Sequence, residues 1–78
     1  MSTLKIESFV PILEEMIEQQ RVKLLSIARE YDPGLTLEDL LSPHDIPVLC
    51  RDTRFGFEDG ILAGLLSARA ALLAVSRR

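Results

Sequence analysis

The stretch Phe57-Glu58-Asp59-Gly60-Ile61-Leu62-Ala63-Gly64-Leu65-Leu66-Ser67-Ala68-Arg69-Ala70-Ala71-Leu72-Leu73-Ala74-Val75-Ser76-Arg77 decides the fold class. It contains no proline and is dominated by Ala and Leu, which are strong helix formers. It predicts a helix over about 57–77. Glu58 and Asp59 would fall in its first turn and Arg77 and Arg78 at its end, which suits the helix macrodipole. Phe57, Ile61, Leu65, Ala68, Leu72 and Val75 form one stripe. Leu62, Leu66 and Leu73 lie about 100° to one side of it, and Gly60, Gly64, Ser67 and Ala71 lie on the other. Only the narrow strip of Asp59, Ala63, Ala70 and Arg77 suits water. One antiparallel partner helix covers one stripe, and this helix has three.

The partner lies at the other end of the chain. Val10, Leu13, Ile17, Gln20, Leu24, Ala28 and Tyr31 follow 3-4 spacing and predict an amphipathic helix over about 9–31. Phe9, Ile12, Met16 and Ile27 widen its apolar stripe, while Glu14, Glu15, Glu18, Gln19, Arg21, Ser26 and Arg29 mark its wet face. Ser8 is a candidate N-cap, and Pro11 is tolerated in a first turn. Asp32-Pro33-Gly34 ends the helix. In an antiparallel hairpin the acidic start of this helix would lie near the basic end of the other, which carries Arg69, Arg77 and Arg78.

Residues 35–54 form a connector too apolar to be an exposed loop. Thr36-Leu37-Glu38-Asp39 reads as a capping box opening a short turn through Leu41. Ser42-Pro43-His44-Asp45 repeats the pattern of cap, proline and acid, and Pro47 breaks anything longer. Leu35, Leu37, Leu40, Leu41, Ile46, Val48 and Leu49 are too apolar for water, and the segment is expected to fold back over the helices. The fold class is therefore all-α: one domain over 1–78, an antiparallel helical hairpin with a partly helical connector.

Size then argues for assembly. A chain of 78 residues is marginal alone and usually gains stability from disulfides, metals or association. Cys50 is the only cysteine and His44 the only histidine, so neither an intrachain disulfide nor a structural zinc site is expected. Association remains, with a two-fold dimer forming a four-helix bundle as the simplest closed solution. The interface candidates are Gly60, Gly64, Ala68, Ala71, Leu62, Leu66 and Leu73. Small residues four apart admit close approach of another backbone. That groove would receive either a second subunit or the chain's own first helix and connector. A transmembrane reading is weaker, because the run from Ile61 to Val75 falls short of the usual span and Arg69 interrupts it.

The functional reading follows from these surfaces. The chain is expected to be a small cytoplasmic protein–protein interaction or regulatory module that pairs with itself, and possibly with another protein. No cofactor or metal is expected. The lone thiol and the absence of a basic-then-apolar leader in Met1-Ser2-Thr3-Leu4-Lys5-Ile6-Glu7 point to the cytoplasm. A net charge of -3 disfavours nucleic acid, although Arg69, Arg77 and Arg78 are the residues that would serve it. The alternative is a small enzyme or enzyme subunit with a site at the subunit interface near His44, Asp45, Cys50 and Arg51. His44 is its first candidate because imidazole titrates near neutrality. The commoner roles are a capping Ser42 and Asp45, a surface His44, a buried inert Cys50, and Phe55 and Phe57 plugging the bundle end. Glu14, Glu15 and Glu18 are read as a solvated face rather than metal carboxylates.

Overall fold

The computed structural model describes residues 5–77. A short 3-10 turn, Ile6–Ser8, leads into the long helix α1, Val10–Tyr31. The connector holds two 3-10 turns, Glu38–Leu41 and Pro43–Asp45, and the one-turn helix α2, Pro47–Arg51. The long helix α3, Thr53–Ser76, then runs back along α1. No strand occurs among the described residues. The hairpin and its helical connector are as the sequence predicts, and Arg69 Nη1 meets Glu14 Oε2 at 3.0 Å across the two helices.

The starts of the helices differ from the expectation. Ser8 does not cap α1. Phe9 takes the N-cap position with no side-chain bond, and Pro11 sits in the first turn. Helix α3 begins at Thr53 rather than near Phe57, because Asp52 is its cap: Asp52 Oδ1 accepts from the Phe55 amide at 3.0 Å. A side-chain acceptor satisfies one of the orphan amides of a helix start, so Arg54, Phe55 and Gly56 join the helix. Glu58 and Asp59 consequently leave the first turn and lose their dipole role. Pro47 opens α2 at its first position, where a missing amide costs nothing. At Thr36 the acid half of the capping box forms, with Asp39 Oδ2 accepting from the Thr36 amide at 2.8 Å. Ser42 makes no side-chain cap, and its carbonyl accepts from the Asp45 amide instead.

The core sits at the turn end of the hairpin. Leu24, Ile27 and Ala28 of α1, Leu49 of α2 and Phe55 of α3 form one buried cluster, flanked by Leu35, Leu40, Ile46 and Leu62. Ile17 is buried further toward the start of α1. Buried Gln20 is satisfied across the hairpin, donating to the Glu58 carbonyl at 2.8 Å. Phe55 is the only buried residue of α3, so the plug expected of both aromatics is Phe55 alone, and Phe57 stands 69% exposed.

A polar clasp closes the turn end. Tyr31 Oη donates to Asp52 Oδ2, and Arg54 Nη2 donates to the same oxygen at 3.0 Å. Arg54 also bridges to Glu30 in a bidentate pair at 2.9 and 3.2 Å. These donors favour the ionised Asp52, with Arg54 the larger influence and Tyr31 the next, and hold its carboxyl well below the usual carboxylate range. A depressed folded pKa adds stability above the unfolded carboxyl value, near 3.9, which fades as pH falls toward the folded value. The urea midpoint of the wild type should therefore exceed that of Asp52→Asn by the most at pH 6–7, with the gap narrowing below about pH 4. A gap independent of pH would remove the clasp's electrostatic role.

Candidate interaction surface

The outward surface of α3 carries the unusual chemistry. Between Gly60 and Ser76 the sole charged residue is Arg69, and it reaches across to α1 to pair with half-exposed Glu14. The residues facing away from α1 are Gly, Ala, Ser and a few large aliphatics, nearly all exposed. Leu62, Leu65, Leu66, Leu72 and Leu73 are only half-buried. Two long helices form one contact ridge, which cannot cover the rest of a helix that is apolar around most of its circumference.

The interface candidates divide between the two sides of α3. Leu62 packs on the core and Leu66 and Leu73 are half-buried with it, whereas Gly60, Gly64, Ala68 and Ala71 are exposed. A Cβ added at Gly60 or Gly64 would meet no neighbour within 4 Å. Within one chain, then, neither α1 nor the connector enters the groove those glycines make. The same holds for Gly56, so none of the three glycines is required by a close approach inside this chain.

The shape agrees with an open surface. The molecule measures 51 × 20 × 17 Å, with a radius of gyration of 15.3 Å. A compact domain of this length has a radius near 11–12 Å. By length and composition α3 is also long and apolar enough to cross a bilayer, and none of its most apolar window is buried.

The connector covers the hairpin on one side. There a cavity of about 210 Å³ is lined by Leu24, Leu37, Leu40, Leu41 and Leu62 and rimmed by Arg21, Glu38 and Asp59. It is open to water and Leu41 at its edge is 78% exposed.

The residues of the enzymatic alternative do not converge. His44 Nε2 and Asp45 Oδ1 are 3.8 Å apart with both side chains in water. Cys50 is exposed rather than buried, because α2 turns Leu49 into the core and so places Cys50 outward, its Sγ near the Pro43 carbonyl at 3.5 Å. The cavity beneath the connector is lined by none of His44, Asp45, Cys50 and Arg51. Among the described residues no cluster of three His, Cys, Asp or Glu could hold a metal ion. Arg77 is exposed at the end of α3, and Arg78 lies outside the described residues. The sequence reading missed Asp52, whose signal was an acid three residues before Phe55. No protein-family model, curated protein or solved structure matches this chain.

Proposed function

We propose that this chain is a small self-associating interaction module of the cytoplasm, active as a homo-oligomeric helical bundle with the dimer favoured. One observation carries the reading: from Gly60 to Ser76 the outward face of α3 is uncharged, its one charge, Arg69, being paired with Glu14 on the α1 side. Contiguous apolar surface beyond a few hundred Å² is rarely left bare on a soluble monomer. Gly60, Gly64, Ala68 and Ala71 lie on that face and allow a neighbouring helix to approach closely.

The bilayer is the competing cover for such a helix. Helix α1, held to α3 by the Glu14–Arg69 pair and by the Gln20 bond to Glu58, would have to follow it. Its exposed Glu15, Glu18, Lys23 and Arg29 are costly in hydrocarbon. Protein therefore suits this face better than lipid.

The test is whether water reaches the face. With a soluble paramagnetic probe, the Ala68 methyl should be shielded nearly as well as that of Ala28, which is fully buried. An Ala68 methyl relaxed as strongly as a surface alanine would defeat the proposal.

A further inference from the structure

We infer that the cavity beneath the connector binds a free apolar α-amino acid, with its side chain among the leucines and its two charges at the rim. The site belongs to one copy of the chain and does not depend on self-association. Its floor is apolar, made by Leu24 of α1, Leu62 of α3, and Leu37, Leu40 and Leu41 of the connector. The connector wall is tied down on its approach. Arg29 Nε donates to the Leu35 carbonyl at 2.9 Å, and Asp39 Oδ2 accepts from the Thr36 amide at 2.8 Å. The 3-10 turn Glu38–Leu41 follows directly, so the wall stands before any ligand arrives. The space, about 210 Å³, exceeds the roughly 150 Å³ that accommodates benzene. It falls below the roughly 300 Å³ at which drug-sized sites begin. One aliphatic or aromatic side chain is the matching size.

The rim selects the head group. It holds one charged residue from each wall: Arg21 of α1, Glu38 of the connector and Asp59 of α3. The acid next to each rim acid is consumed by the fold. Asp39 caps Thr36, and Glu58 takes Lys23 and Gln20. Glu38, Asp59 and Arg21 themselves enter no ion pair among the described residues. Arg21 and Asp59 are nonetheless half-buried, and a charge drawn partly out of water gains from a partner. A lone anion would satisfy Arg21 and face two carboxylates. A lone cation would satisfy the acids and face the guanidinium. A neutral ligand would leave all three without partners. A zwitterion gives every rim charge its opposite: its carboxylate accepts from Arg21, a geometry that suits guanidinium, and its ammonium donates to Asp59 and Glu38. Over a floor of leucines, that head group belongs to an amino acid with an apolar side chain.

The test uses three ligands that share one side chain. They are leucine, 3-methylbutylamine, which lacks the carboxylate, and 4-methylpentanoate, which lacks the ammonium. Each is titrated at pH 7 into the isotope-labelled full chain, and the protein's leucine methyls are followed by NMR. Leucine should shift Leu24, Leu40 and Leu62 saturably and leave Leu49, which is buried outside the cavity, in place. Each single-charge analogue should bind on the order of 10-fold more weakly, the worth of one charge-assisted contact. Arg21→Gln should erase leucine's advantage over the amine, and Glu38→Gln/Asp59→Asn its advantage over the acid. If one variant loses helicity by circular dichroism, the other decides. Absence of saturable shifts at leucine concentrations on the order of 10 mM overturns the inference. So does an analogue that binds as tightly as leucine, or a folded variant that keeps the corresponding advantage. Each of these failures leaves the self-association reading standing.

Discussion

Phe55→Ala is expected to lower the stability of the chain by about 3–5 kcal/mol. Phe55 is 3% exposed, is the only buried side chain of α3, and packs with Leu24, Ile27, Ala28 and Leu49. Truncating a buried phenylalanine to alanine costs about 3–5 kcal/mol in lost transfer and residual cavity. A chain of 78 residues has about 4–12 kcal/mol in total. The other apolar contacts of α3, such as Leu62 against the core, are only half-buried. Urea unfolding followed by circular dichroism, at one fixed protein concentration because association adds to apparent stability, measures the loss. A decrease below about 1 kcal/mol would mean that the aromatic is no keystone.

Leu49→Ala should cost about 2–5 kcal/mol, which tests whether the connector belongs to the core. Leu49 has no exposed surface, although it sits in a helix of five residues. Such a helix does not persist without tertiary contacts, so α2 exists because Leu49 is inserted between α1 and α3. Leu41, 78% exposed in the same connector, supplies the contrast: Leu41→Ala should stay within about 0.5 kcal/mol of wild type. Equal effects at the two positions would show a connector that drapes over the hairpin without specific insertion.

The sequence made the hairpin readable because its two signals are strong. The 3-4 spacing from Leu13 to Ala28 fixes the inner face of α1, and Asp32-Pro33-Gly34 fixes its end. Of the connector's apolar residues, Leu35, Leu40, Ile46 and Leu49 pack on the core as expected, whereas Leu37, Leu41 and Val48 remain exposed because the short turns point only one side of the segment at the helices. The start of α3 was hidden by Gly56, which lowers helix propensity and made Phe55-Gly56-Phe57 resemble a loop. The cap at Asp52 overrides that preference because Tyr31 and Arg54 hold its carboxylate in place. Cys50 was misplaced for a related reason: within one helical turn its burial depends on the phase that Leu49 sets.

The open side could not be read from either helix alone. Periodicity gives each stripe separately, and Phe9, Ile12 and Met16 look like a widened core face. Only the packed hairpin, in which Phe9, Ile12 and Met16 remain exposed, reveals that this flank stays uncovered. The same limit applied to Gly60 and Gly64, whose spacing fits an internal or an external contact equally well. The empty space around both positions removes the internal one.

The measurement closest to the central claim is the mass of the untagged full chain in detergent-free buffer, by sedimentation equilibrium at micromolar concentration. A second copy covering the apolar flank predicts a species of about twice the 8.7 kDa chain mass. A single species of 8.7 kDa, soluble and helical over the same range, would contradict it.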